Sequence, residues 1–154
     1  MPDAAVVQIF VAPEAGAPMR SVEAVRAVPG RGLDGDRYFH QEGSFSRWPG
    51  PHREVTLIAE EDLEAMRRET GVALPAAESR RNLLTRGADL RALIGREFDA
   101  GAVRMRGMQR CQPCKYLARL TGRPELVRAL AGRGGIRARI LGEGVLRPGD
   151  LLRF

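Results

Sequence analysis

The chain has 154 residues, of which 44% are hydrophobic, so we expect one domain over residues 1–154 with a substantial core. Lysine and arginine number 25 against 19 aspartate and glutamate residues, a formal net charge of +6, and nearly all the positive residues are arginine. No apolar run approaches the length of a membrane-spanning helix and no secretory pattern opens the chain, so we expect a soluble cytoplasmic protein without a membrane partner.

The first half of the chain predicts strands and one helix. The run AVVQIFVA predicts a strand, and SVEAVRAV followed by the glycine-rich PGRGLDGDR predicts a hairpin or a corner. Residues 39–52 have no helical or strand period and predict a long ordered loop, a kind of segment that often carries function. EVTLIA predicts a strand, and EEDLEAMRRETG predicts a helix that ends at Gly71.

The second half continues with short strands. SRRNLLT predicts a strand, DLRALIG a helical turn capped by Asp89, and REFDAGAVRMRG one or two strands. YLARL and PELVRALA predict helices, the second with Pro124 at its first position and Gly132 at its end. GRGGIRARIL predicts a strand, and EGVLRPGDLLRF a hairpin or a pair of strands. Many short strands without regular strand–helix alternation favour a mainly β fold with a few helices, a mixed closed β-barrel.

The only two cysteines, Cys111 and Cys114, lie three residues apart in RCQPCKYL. Pro113 favours the first position of a helix, which places Cys114 in the first turn. A thiol there, between basic neighbours, should have a lowered pKa and be largely thiolate near neutral pH, the form that attacks electrophiles and binds soft metals. The competing interpretation is a pair of inert, half-buried cysteines.

Other thiol sites remain open at this point. A dithiol redox site of the thioredoxin type needs a βαβ context, and the parallel crossover is missing here. A structural zinc site needs four ligands, for which the two cysteines could be joined only by His40 and His52. A nucleophilic Cys114 could use His52 or His40 as its base.

Arginine is concentrated late in the chain, and its planar fork grips phosphate or carboxylate at two points. The arginines concerned are Arg80, Arg81, Arg104, Arg106, Arg110, Arg133, Arg137 and Arg139. They indicate an anionic ligand, or a solvated arginine-rich surface. A non-catalytic basic module for nucleic acid is the alternative from another class, but aromatic residues are only 5% of the chain, fewer than a single-strand platform needs, so nucleic acid is not the expected partner.

Several motifs in order resemble the MOSC domain, the module named for the C-terminal region of molybdenum cofactor sulfurase. They are GLDGDR, GPHREVTLI, SRRNLLTRGADLRALIGREF, CQPC, GRGGIRARIL and RPGD, from about Val22 to the C-terminus. The resemblance implies a β-barrel-based fold and one principal cysteine that either ligates the molybdenum of a bound molybdopterin or carries sulfur as a persulfide. It also implies delivery or use of the molybdenum cofactor, in some members reduction of N-hydroxylated compounds, and among associated properties pyridoxal phosphate binding.

By position, Cys114 matches the family cysteine, so the resemblance makes it both the reactive group and the metal ligand. Cys111 is then either a resolving thiol for Cys114 or a residue without a chemical role. A sulfur donor such as a cysteine desulfurase is the implied protein partner. Larger members have an electron-transfer module that is not evident in these 154 residues, so we expect either a sulfur carrier or transferase or a molybdenum-dependent oxidoreductase.

The resemblance also implies which residues hold a molybdopterin-like anionic ligand. Arginine forks and backbone amides suit its phosphate, and an amide side chain suits the edge of its ring. The implied contacts are Asp36 and Arg37 of the GD loop, Arg81 and Asn82 of the RRN segment, and in addition Arg133 and Arg137.

Overall fold

The computed structural model describes residues 3–39, 54–111 and 115–154, without the side chains of residues 115 and 116. Its fold is mainly β with three helices in the described residues, as the sequence predicted. The strands are β1 (Ala5–Val11), β2 (Arg20–Val22), β3 (Val25–Val28), β4 (Gly32–Leu33), β5 (Val55–Ala59), β6 (Leu83–Arg86), β7 (Glu97–Ala100), β8 (Val103–Arg110), β9 (Ile136–Ile140), β10 (Gly144–Leu146) and β11 (Leu152–Arg153). The helices are α1 (Glu60–Thr70), α2 (Lys115–Thr121) and α3 (Leu126–Ala129), and 3₁₀ turns span Ala76–Ser79 and Leu90–Leu93.

Eight of these strands form one curled sheet in the order β11-β7-β8-β9-β5-β6-β1-β2, and β10, β3 and β4 form a smaller one. The named pairs are antiparallel except β5 with β6, which are parallel and connected by a segment containing α1. Strands β2 and β3 turn the predicted corner, because β2 pairs with β1 whereas β3 pairs with β10 and β4.

The predicted closed barrel needs a correction, because the large sheet is a curled half-barrel without a continuous ladder around it. Strand β11 pairs with β7, and Leu151, the residue before β11, forms a single bridge with Ala5 of β1. Backbone hydrogen bonds from Leu152 N–H to Ala4 O and from Val6 N–H to Asp150 O, both 2.8 Å, flank that bridge. Strand β11 is only two residues long and follows a tight turn, so it is too short to extend this contact into a ladder.

Two hydrophobic clusters occupy the two faces of the curled sheet. The inner cluster takes alternate residues of the strands, such as Leu57, Met105 and Ile136, each at 0% exposure. The outer cluster packs helix residues against Phe10, Ile58 and Leu84 of β1, β5 and β6; the helix residues are Met66, Leu117, Leu126 and Ala129. Since each fully buried Leu, Ile or Met contributes roughly 1.5–3 kcal/mol, both faces of β5 stabilise the fold.

Local predictions have mixed outcomes. Helix α1 ends at Gly71 in the left-handed region (φ 74°), and Asp89 caps its 3₁₀ turn by accepting the Arg91 N–H at 3.2 Å, both as predicted. The hairpin alternative for EGVLRPGDLLRF is wrong, because β10 and β11 join different sheets. Pro124 precedes α3 by two residues instead of opening it. Among the described residues, no helix has the length and apolar character needed to span a membrane.

Candidate functional site

A row of polar side chains crosses the outer face of the large sheet. Arg137 of β9 pairs with Gln109 of β8 on one side and with Thr56 of β5 on the other. Directly paired residues of antiparallel strands share a face, and the neighbours Ile136 and Ala138 face the inner cluster, so this row faces outward. Gln109 is exposed, whereas Arg137 and Thr56 are half-buried.

Asn82 extends the row to the start of β6 and is buried. Its Oδ1 accepts the Thr56 N–H and the Thr56 hydroxyl, both at 3.1 Å, and its Nδ2 donates to Phe10 O at 3.0 Å. The side chain thereby joins β5, β6 and β1 at one point. The Asn82 amide is hydrogen-bonded to other residues of the protein. Direct contact of Asn82 with a ligand therefore stays a prediction.

Arg81 and Cys111 both bond to the GRGG segment. Its Nε donates to Gly134 O at 2.8 Å, and the next peptide carbonyl, Gly135 O, accepts the Cys111 N–H at 2.8 Å. A Cβ on Gly134 would lie 2.4 Å from Cys111 O, so only glycine allows the two backbones to approach this closely. Arg81 of the RRN segment, Cys111 and the GRGG segment, which are distant in sequence, therefore meet here.

The GD loop is tied to the end of β1 by a buried ion pair. Asp36 is 0% exposed; its Oδ1 accepts the Ala12 N–H at 3.1 Å and pairs with Arg37 Nη1 at 3.0 Å. The same Arg37 nitrogen lies 3.4 Å from Met19 Sδ. Because these groups bond within the protein, their described role is to fix the loop, and ligand binding by Asp36 and Arg37 stays a prediction.

Two other arginines, Arg80 and Arg133, bond to parts of the fold away from the polar row. Arg133 forms an ion pair with Glu69 near the end of α1, and Arg80 Nη1 donates to Ala17 O. Arg80 also has a positive φ of 65°, which ends the 3₁₀ turn and delays the start of β6 until Leu83. Anion binding by Arg133 stays a prediction.

A buried carboxyl group lies beyond the polar row. Glu54 is 4% exposed, and its Oε1 accepts the Gly30 N–H at 3.0 Å and the Ile140 N–H at 3.2 Å. Burial raises the pKa of this carboxyl above its ordinary value, although both hydrogen bonds and the charge of Arg139 act in the opposite direction. Glu54 therefore fastens the turn after β3 to the end of β9.

The structure thus brings together Arg81, Asn82, Arg137 and the beginning of the cysteine segment. Cys114, His40 and His52 lie outside the described residues, so the thiol itself and the predicted zinc and cysteine–histidine sites are not placed. Among the residues that are placed, no group of three or more histidine, cysteine or acidic side chains could hold a metal ion. Cys111 is 3% exposed.

Sequence reasoning missed Thr56 and Gln109. Thr56 could have been found as the outward polar position between the buried Val55 and Leu57. Gln109 was hidden by an irregularity in β8 between Gly107 and Gln109, which shifts the register so that simple alternation fails.

The donor set fits an anionic ligand. Among the described residues, no hydrogen bond or ion pair engages the terminal nitrogens of Arg81, because its contact with Gly134 uses Nε, and none engages the half-buried guanidinium of Arg137. Guanidinium groups held in place by packing, beside hydroxyl and amide side chains, are the chemistry that binds a phosphate and the edge of a heterocycle.

Comparison with known proteins agrees with this fold. A family model, the MOSC domain, matches residues 46–153, a range that begins after the predicted start near Val22 and leaves out GLDGDR. No curated protein matches the sequence significantly. YiiM from Geobacillus stearothermophilus is 21% identical with a TM-score of 0.75, over 97% of this chain and 74% of its own.

Two further solved structures are similar. The YuaD protein from Bacillus subtilis is 17% identical with a TM-score of 0.80, over 98% of this chain and 94% of its own. YiiM from Escherichia coli is 18% identical with a TM-score of 0.73, over 99% of this chain and 69% of its own. At these identities the likeness shows the fold alone.

Proposed function

Because this chain belongs to the MOSC domain family, we propose that it binds the molybdenum cofactor, or carries sulfur for it, at Cys114. Arg81 and Arg137 hold the anionic group of the molybdopterin, with Gln109 and Thr56 beside them. Asn82 and Asp36 act by holding strands and loop in position.

The observation that carries this proposal is that Arg81 and Cys111 bond to adjacent residues, Gly134 and Gly135. One face of Gly134–Gly135 accepts a hydrogen bond from Arg81, and the same two residues contact the backbone of Cys111. An anion bound by the terminal nitrogens of Arg81 would lie close to Cys111, which precedes Cys114 by three residues. A phosphate-bearing ligand with a soft metal centre suits this combination of arginine and thiol.

If the cofactor is resident, molybdenum supplies the redox chemistry, and the residues of this chain bind and orient it. Cys114 thiolate would be the protein ligand of the metal. Arg81 and Arg137 would neutralise and position the phosphate, since a planar guanidinium fixes both the place and the direction of a phosphate oxygen pair.

If the chain instead carries sulfur, the Cys114 thiolate attacks the outer sulfur of a persulfide on a donor such as a cysteine desulfurase. A new S–S bond forms on Cys114 as the S–S bond of the donor breaks, and the donor cysteine leaves as a thiolate. No net electrons are transferred, so this step needs no redox partner. Reduction of N-hydroxylated compounds and pyridoxal phosphate binding stay predictions.

The first test is the metal content of chains expressed in a host that makes molybdopterin. We expect molybdenum in the wild type after rapid purification under reducing, oxygen-poor conditions, and loss of it in Cys114→Ser. Arg81→Ala should lower occupancy about tenfold or more, because a charged hydrogen-bonding partner of the ligand is removed. Arg86→Ala, an exposed arginine at the end of β6, is the matched control and should retain the metal.

Elemental mass spectrometry decides between the outcomes. Molybdenum retained in Cys114→Ser would contradict the role of that thiol as ligand. If molybdenum is absent from the wild type, the sulfur-carrier form predicts a persulfide on Cys114 after incubation with a desulfurase and cysteine, visible as a mass increase of one sulfur atom. Absence of both would overturn the proposal, and zinc in place of molybdenum would favour a structural metal.

A further inference from the structure

A basic surface, defined by Arg104, Arg106, Arg137 and Arg139, covers the outer face of β8 and β9. Arg106 and Arg139 lie directly opposite each other in the β8–β9 ladder, and both are exposed. On its other side Arg106 lies opposite Glu97 of β7, whose carboxylate pairs with Arg104. Like charges in directly opposed positions repel, so the pairing of Arg106 with Arg139 favours binding of a negative partner.

The acidic residues near the basic surface are already engaged. Arg104 forms ion pairs with both carboxylates of β7. Its Nε is 3.1 Å from Asp99 Oδ1, and its Nη1 is 3.4 Å from Glu97 Oε1. The carboxylate of Glu54, which acts on Arg139 through space, is buried and accepts two backbone N–H groups. In the part of the chain that the structure describes, Arg106 and Arg139 have no ion pair.

We propose that the basic surface docks a carboxylate-rich face of a partner protein. The outward side chains of β8 and β9 include no aromatic residue on which nucleic-acid bases could stack. Glu97 and Asp99, both paired with Arg104, form an acidic border along one side that disfavours a continuous phosphate backbone. This alternation of charge therefore fits a protein surface better than a nucleic acid.

The basic surface is continuous with the candidate site, because Arg137 belongs to both. A partner docked there comes to rest beside the segment that leads to the thiol. Two strands offer a patch only about 10 Å wide, so the contact is transient and acts mainly on the association rate, which falls with salt. The inference does not depend on the cofactor, since a chain without molybdenum has the same arginines.

Binding of two polyanions of equal length, fluorescent polyglutamate and fluorescent oligothymidylate, tests the partner chemistry. At low ionic strength, polyglutamate should bind the wild type, and Arg106→Gln with Arg139→Gln should weaken that binding about tenfold. The control, Arg119→Gln with Arg128→Gln, removes the same charge from the exposed faces of α2 and α3 and should leave at least half the affinity.

Thermal unfolding shows whether the variants are folded. Because both side chains are exposed, Arg106→Gln with Arg139→Gln should unfold within a few degrees of the wild type. An equal loss of binding in the control would show that net charge alone binds the probe, and would overturn the proposal. Tighter binding of oligothymidylate than of polyglutamate, or no polyglutamate binding by the folded wild type, would also overturn it.

Discussion

At the scale of single residues, buried polar side chains hold the backbone around the candidate site. Asn82 bonds to β5 and β1, Asp36 to the end of β1, and Glu54 to the turn after β3 and to β9. A buried polar group whose partner is lost costs about 1–3 kcal/mol, so each of these residues is constrained by stability before any function. For Glu54, burial also raises the pKa of the carboxyl above its ordinary value.

The free energy of unfolding of Glu54→Gln, relative to that of the wild type, should increase as the pH rises. The raised pKa means that the native state binds the Glu54 proton more tightly than the unfolded chain does. Its contribution to stability is therefore fully present below the ordinary value of 4.5 and is lost as the pH rises through the folded-state pKa. Glutamine keeps the acceptor Oε1 without a charge, so we expect the stability of Glu54→Gln relative to wild type to increase between about pH 4 and pH 7.

Urea unfolding at several pH values measures this difference. Glu64→Gln is the control with the opposite sign, because the Arg67 guanidinium lowers the pKa of the exposed Glu64. Its stability relative to wild type should fall or stay constant over the same interval. A pH-independent difference for Glu54→Gln would show that burial does not govern that carboxyl.

At the scale of elements, the strands and α1 were predictable because they carry strong local patterns. Val55 and Leu57 alternate with Thr56 in β5, and the acidic first turn and Gly71 bracket α1. The partners of the last two strands could not be inferred, since which sheet a strand joins depends on packing between distant segments. The same limit applies to the candidate site: arginines were identifiable by type, but only the fold separates Arg81 and Arg137 from Arg133, which pairs with Glu69.

The approach of the GRGG segment to β5 can be tested with a pair of glycines. Gly135 (φ 85°) and Gly132 (φ 75°) share a left-handed backbone, but a Cβ on Gly135 would lie 1.9 Å from Leu57 O, whereas nothing lies within 4 Å of one on Gly132. Gly132→Ala should cost about 1–2 kcal/mol from backbone strain alone. Gly135→Ala should cost about 1–3 kcal/mol more, because backbone atoms must move apart.

Free energies of unfolding from urea titration compare the two variants. A loss in Gly135→Ala that is no larger than in Gly132→Ala would mean that the close contact with β5 does not constrain the segment. Retained stability with lost molybdenum occupancy would instead show that the contact serves the site.

At the scale of the whole molecule, the single bridge between Ala5 and Leu151 brings the two ends of the curled sheet together. Leu151 immediately precedes the short β11, which pairs with β7, so only a few hydrogen bonds join this part of the chain to β1. Leu152 is the residue of β11 that reaches the inner cluster, at 5% exposure. The stability of the contact between β1 and the chain around β11 should therefore depend strongly on the Leu152 side chain.

Leu152→Ala should destabilise the protein by about 2–5 kcal/mol, as expected for a buried leucine that leaves a cavity. Phe154→Ala, two residues later and at 63% exposure, should change stability by less than about 0.5 kcal/mol. Calorimetric unfolding of both variants measures the contrast. A stability loss in Leu152→Ala as small as that in Phe154→Ala would indicate that β11 can separate from the sheet without destabilising the rest of it.

The Ala5–Leu151 bridge also determines the order in which this protein can assemble. Its two residues are far apart in the sequence, so during synthesis on a ribosome β1 is made long before Leu151 is available to pair with it. Contacts this distant form late because closing a long loop costs entropy that only the finished core can offset. Until then the first half of β1, which β2 does not cover, has an unpaired edge, the kind of surface that chaperones protect from aggregation.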